Sequence, residues 1–384
     1  MKLAAAIAAM MLAAGSAQAQ PGFQRPTQTL QEMAARRGVV ASSYAPGAIV
    51  YAGSFPDAFD VRPEEPNPYP RMRISSDSEF KVRHAIDAEA SRLFHAENWT
   101  ALEDMADRLR TRDRLTPVGD FKLEAFYEVF RFCHCKHPEE VSAWEARAER
   151  YRQAFPQSPT PLLIKTSFMI DDAWWDLQRG PGGSTVRGLA YRTGIDAAGK
   201  LMADNWDIVS QDRQAFAVLG VLTVSSEASR PVFDKLIDQI ADKAPEYTPA
   251  WTSAITYLSR QWGDDPQLVE RIARRAALGK GDEAEGLYAR LLHHAWTLAG
   301  DDGFFRRAGV DRRLLRNSAL SFLSQHPDMP NFVMMAEIAC SLQDWEMAEP
   351  LIARMQVLAV PSYADFPQYT ACRRDIYSYR HPAG

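Results

Sequence analysis

The chain has no apolar run long enough to span a membrane. About 20 consecutive apolar residues are needed, and the run Leu3–Ala14 falls short of that. Short catalytic signatures are missing too. There is no H-E-x-x-H of a zinc peptidase and no G-x-S-x-G of a serine hydrolase. Cysteine is scarce, four in 384 residues. Charge is nearly balanced, with 44 Lys and Arg against 49 Asp and Glu, a net of −5. The basic residues are scattered, which argues against a nucleic-acid partner. What remains is ordinary globular composition, 46% hydrophobic and 24% charged, enough for one or two domains.

The first residues follow the pattern of an export signal: Lys2, the apolar run Leu3–Ala14, then Ala17-Gln18-Ala19. A short positive region, a short hydrophobic region and an A-x-A site predict cleavage after Ala19. The expected location is therefore periplasmic or secreted, with no membrane span once the signal is removed. A short helical stretch, Thr29–Arg37, is followed by Pro46, Pro56, Pro63, Pro66, Pro68 and Pro70. Proline fixes φ and lacks an N–H, so this part reads as an extended arm or linker.

From Ser78 onward apolar residues recur at helical spacing, and β-type alternation is scarce. Helices are expected at about 118–133, 139–154, 160–178, 185–203, 210–224, 229–243, 248–261, 266–278, 282–299, 311–325 and 362–378. Two further segments match each other. Asn98 can cap a helix whose face carries Trp99, Leu102, Ala106 and Leu109; Asp344 can cap one carrying Trp345, Ala348, Ile352 and Met355. Glu103 then aligns with Glu349, and Arg108 with Arg354. An amphipathic helix precedes each. A helix pair cannot bury its apolar face alone, and stacking copies solves the problem.

From about Tyr151 to Met355 the chain resembles an uncharacterised bacterial tetratricopeptide-like helical-repeat family, a domain of unknown function. The resemblance is carried by Ala173-Trp174, Arg179-Gly180, Thr185-Val186, Pro245, Tyr247, Tyr257-Leu258, Trp262-Gly263, Leu287-Tyr288-Ala289-Arg290, and Ala339-Cys340 leading into Asp344 and Ala348. The segment Gly188–Lys200 departs from the family pattern. The resemblance implies a helical fold and supplies no catalytic residues. The expected fold is thus all-α, a degenerate tetratricopeptide-like superhelix or solenoid. Its parts are a signal peptide (1–19), a Pro-rich arm (20–77), N-terminal helical repeats (78–156), the family-like region (157–358) and a C-terminal helix and tail (359–384).

Four cysteines allow three complete pairings. Cys340 and Cys372 fall on what read as neighbouring helices and are the expected disulfide. Cys133-His134-Cys135-Lys136-His137 could offer zinc or copper ligands through Cys133, Cys135 and His137. C-x-C is tighter than the usual zinc-finger spacing, and a helix terminus complemented by basic groups fits the string as well. His293-His294 lies on an apolar helix, where adjacent side chains diverge. Asp171, Asp172 and Asp176 flank Trp174-Trp175, and Asp264-Asp265 follow Trp262. Carboxylates beside aromatics can perform acid–base chemistry on sugars, or can simply be caps and turns. Gly180-Pro181-Gly182-Gly183-Ser184-Thr185 lacks the Gly-Lys-Ser/Thr ending of a phosphate loop.

No catalytic, cofactor-binding or metal residue is assigned on this basis, and no cofactor is expected. The leading expectation is a non-enzymatic scaffold for a protein or peptide partner. The alternative is a carboxylate-dependent hydrolase of cell-wall or sugar material.

Overall fold

In a computed structural model, the described residues are 67–73, 79–131, 138–179, 183–226, 228–261, 265–279, 284–300, 303–355, and positions 372, 375, 376 and 379. Among them there are sixteen helices and no strands, with two isolated bridges, Arg73 with Asp328 and Leu115 with Phe121. The signal-like segment, most of the Pro-rich arm including Thr29–Arg37, and most of 362–378 lie outside the described residues.

Three helices open the body: α1 (Glu79–His95), α2 (Trp99–Thr111) and α3 (Lys122–Glu128). They are followed by α4 (Pro138–Ala154), α5 (Pro159–Arg179) and α6 (Ser184–Asp204). Aromatic rings fill their shared core. Phe94 meets Phe130 at 5.2 Å and Trp144 at 5.5 Å, and Trp99 stacks on Tyr151 at 5.0 Å. Then come α7 (Trp206–Val209), α8 (Gln214–Ser225), α9 (Arg230–Lys243), α10 (Thr248–Gln261), α11 (Pro266–Ala277) and α12 (Ala284–Ala299). The last are α13 (Phe304–Ala308), α14 (Arg312–Gln325), α15 (Met329–Ser341) and α16 (Trp345–Met355).

Packing skips along the chain. Helix α8 packs on α10, α10 on α12, and α12 on α14. The intervening helices α9, α11 and α13 pack against them and in turn on each other. Helix α8 is buried on nearly every side, as its continuous apolar sequence requires. By contrast, α11 is two-faced. Asp265 caps it by accepting from the Leu268 N–H at 2.9 Å, and Leu268, Ile272, Ala273 and Ala276 form its buried stripe. Gly220 lets α8 approach α10 closely, since a Cβ there would meet the Ser253 Cβ at 2.7 Å.

The two matched segments also agree in backbone. Asn98 and Asp344 accept from the N–H three residues on, Ala101 and Met347, each at 3.3 Å. The residue before each cap is left-handed, Glu97 at φ 56° and Gln343 at φ 52°. The preceding helices close in the same way. Asn98 N–H donates to Leu93 O at 3.0 Å and Glu97 N–H to Phe94 O at 3.2 Å; Asp344 N–H donates to Ala339 O at 2.9 Å and Gln343 N–H to Cys340 O at 3.0 Å. This is a Schellman closure running directly into the next helix.

Two expectations need correction. The helix expected at 118–133 is only Lys122–Glu128, because residues 115–121 form a turn. The helix expected at 210–224 starts at Gln214, after a turn in which the Asp212 carboxylate accepts from the Gln214 N–H at 2.8 Å. The helix expected at 185–203 is present as α6, continuous through Gly188–Lys200, where Gly194 admits Ala173 of α5.

Candidate functional site

Two non-helical stretches of the chain lie against the C-terminal helices. The first is the 115–121 turn. Gly119 takes φ 85°, and Thr116 N–H donates to Asp120 O at 2.8 Å. The turn thereby presents two carbonyls and a carboxylate to the stack. Arg290 of α12 donates to Gly119 O at 3.2 Å and to the Asp120 carboxylate at 2.6 Å. Asn331 of α15 donates to Val118 O at 3.1 Å. Phe121 is buried against Tyr247, with ring centroids 4.7 Å apart. Glu246 pairs with both Arg114 and Arg213 beside it.

Beneath this turn lies a charged junction. Arg83 of α1 binds Glu79 at 2.7 Å, Glu128 at 3.1 Å and Asp120 at 3.2 Å. Burial pushes the Glu124 carboxyl up to about 8; Glu128 and Asp120 add to the rise, while Arg83 and Arg290 oppose it. Arg131 grips Asp171 with two nitrogens at 3.1 and 3.2 Å. Burial raises the Asp171 carboxyl, and Arg131 opposes that. A second polar knot is fully paired. Asp212 accepts from Arg110 at 2.6 Å and from the Tyr127 hydroxyl at 2.7 Å. Glu103 accepts from Tyr151 at 2.6 Å, Ser158 at 2.6 Å and Thr160 at 2.8 Å. These mutual bonds tie α2 and α3 to the turns before α5 and α8.

The second stretch is 67–73, the end of the Pro-rich arm. Asn67 donates to Pro350 O at 2.8 Å. Tyr69 is buried, and its carbonyl accepts two bonds from Arg354, at 3.1 and 2.9 Å. Arg73 N–H donates to Pro327 O at 2.6 Å, and Met329 N–H to Arg73 O at 3.3 Å. The Arg73 guanidinium binds the Asp328 carboxylate at 2.5 and 3.3 Å.

The residues singled out from sequence are used in separate places. Cys340 and Cys372 have Cα atoms 5.6 Å apart and sulfurs within bonding range, so the structure admits the expected disulfide. Cys133, Cys135 and His137 lie outside the described residues, as do Trp262, Gly263 and Asp264. Among the described residues, no group of three or more His, Cys, Asp or Glu is placed to hold a metal ion. Asp171 pairs with Arg131, Asp265 caps α11 and Asp172 is exposed. Trp174 donates to the Ser225 hydroxyl at 3.2 Å. His293 meets Glu337 at 2.9 Å while His294 meets Thr256 at 3.1 Å, so the adjacent rings serve different helices. Burial lowers His294 to about 4, with His293 adding to the effect. No helix among the described residues is long and apolar enough to cross a membrane.

Sequence reasoning missed Glu124, Asp120, Arg290, Arg354 and Asp328. One signal for the last two was available. Asn67 precedes Pro68 and Tyr69 precedes Pro70, and a residue before proline is driven to extended backbone. A tyrosine held in that way is poised to dock. No protein-family model, curated protein or solved structure matches the chain.

Proposed function

We propose that this chain is an exported, degenerate tetratricopeptide-like helical-repeat scaffold whose stack binds a protein or peptide partner. One observation carries the reading: Arg290, Asn331 and Arg354, on α12, α15 and α16, all donate to main-chain carbonyls of non-helical segments. Side chains that grip main-chain carbonyls hold a non-helical segment with little regard to its sequence, as a peptide-binding surface does. The matched closures at Glu97 and Gln343 support the repeat reading, and the alternate packing of α8, α10, α12 and α14 supports the superhelix. Export rests on residues 1–19.

The test is affinity capture from envelope extract with the mature chain and with Arg354→Ala. The reading expects one polypeptide to be recovered reproducibly by the first and depleted with the second. Equal recovery by both would count against it.

A second reading, a carboxylate-dependent hydrolase of cell-wall or sugar material, draws on Glu124, a carboxyl pushed up to about 8 beside Asp120 and Glu128. A group so raised can serve as a general acid. Turnover of muropeptides lost in Glu124→Gln would favour it; no turnover by the wild-type chain would remove it.

A further inference from the structure

Residues 67–73 lie on the C-terminal helices as a peptide would. Only Tyr69 of the seven is buried. The ion pair at the far end is lopsided, with the Asp328 side chain 2% exposed and that of Arg73 52% exposed. The anion thus belongs to the helical body and the cation to the docked segment. Asp328 is set into the stack and presents a buried charge that needs a cation opposite it. At the near end Arg354 holds the Tyr69 carbonyl, and Asp344 and Arg316, themselves paired at 2.5 Å, exert opposing charge effects on the Tyr69 hydroxyl. The prolines at 68 and 70 pre-set Asn67 and Tyr69 in extended backbone, which lowers the ordering cost of docking.

We propose that the face formed by Pro327, Asp328, Arg354 and the carbonyl of Pro350 is a peptide site, occupied in cis by residues 67–73, whose partner is an extended polypeptide carrying an aromatic residue and, four positions later, a cation. The proposal rests on the scaffold reading and names its site. The resident segment is attached by the buried Tyr69, the partly buried Met72, one half-exposed ion pair, the Asn67 side chain and a few main-chain bonds. A competitor offering the same groups meets the same contacts, so the segment acts as a displaceable occupant. Specificity comes from the buried carboxylate: an acidic or neutral residue in place of Arg73 leaves Asp328 unpaired.

The probe is a fluorescent synthetic peptide of residues 65–75, titrated by anisotropy against full-length proteins. The wild-type chain should bind it weakly. Tyr69→Ala/Arg73→Ala, which loosens the resident segment, should bind at least tenfold more tightly, and adding Asp328→Ala should abolish the gain. A peptide with its own tyrosine and last arginine replaced by alanine should not bind. Absence of binding to the loosened chain, with its helical circular dichroism intact, would overturn the proposal, as would equal binding of the two peptides. Should the double variant fail to fold, Arg73→Ala alone, at a half-exposed position, carries the same comparison. A concentration-dependent dimer formed by wild type and lost in the double variant would assign the face to arm exchange between copies and overturn the proposal. Captured partner that still depends on Arg354, together with failed peptide binding, would sink the proposal and leave the scaffold reading standing.

Discussion

Glu124 sits where the N-terminal helices meet the C-terminal stack, and its protonation should be readable in stability. Its carboxyl is pushed from an ordinary 4.5 up to about 8, by burial first and then by Glu128 and Asp120. Between those two values the native state keeps a proton that the unfolded chain has released. Stability therefore falls as pH rises, by ~1.4 kcal/mol per pH unit for one such group. The contribution is fully present below 4.5 and is lost as pH climbs to about 8; across that window it amounts to ~5 kcal/mol. Glu124→Gln keeps the size and polarity and removes the titration. Urea unfolding of both proteins across this range is the assay. The two should be nearly equally stable at about pH 5, and the glutamine variant should gain ~1.4 kcal/mol per unit thereafter. Parallel profiles would refute the burial argument. A variant that becomes relatively weaker at high pH would show that Arg83 and Arg290 hold Glu124 as an anion.

Gln343→Gly should stabilise the chain by ~1 kcal/mol in thermal unfolding, because Gln343 sits at φ 52° where a Cβ is unfavourable. Gly119→Ala should do the opposite, losing ~2 kcal/mol or more: φ is 85° and the new Cβ would lie 2.8 Å from the His326 ring. Non-reducing peptide mapping should recover Cys340 linked to Cys372. Their separation of 32 residues predicts a loss of ~3–4 kcal/mol for Cys340→Ser under oxidising conditions, read from denaturant midpoints.

The helices were legible where punctuation and period agree. The expected 248–261 coincides with α10, because Pro245 precedes it and the apolar stripe Trp251, Ala254, Ile255, Leu258 runs through it. The Asn98 and Asp344 caps were legible for the same reason; both are short-range chemistry. The left-handed residues before them were not, since glutamate and glutamine do not announce positive φ. Reading failed at 118–133 because apolar spacing cannot tell a helical Phe121 from one turned to meet Tyr247 in a distant helix. The charged junction was illegible for a plainer reason. Asp120 and Arg290 are 170 positions apart, and no local spacing joins them. The arm was read as extended from its prolines, yet nothing in composition says that Tyr69 has a seat.

Hydrogen exchange across 67–73 in the full-length protein tests most directly whether the stack grips extended chain. Arg73 N–H is bonded to Pro327 O at 2.6 Å and Met329 N–H to Arg73 O at 3.3 Å. The Arg73 amide should exchange far more slowly than in the free peptide, and Asp328→Ala should release it, and with it the Met329 amide on the facing helix, without altering protection in α10 or α12. Exchange of Arg73 in the wild-type chain at the rate of the free peptide would contradict the account.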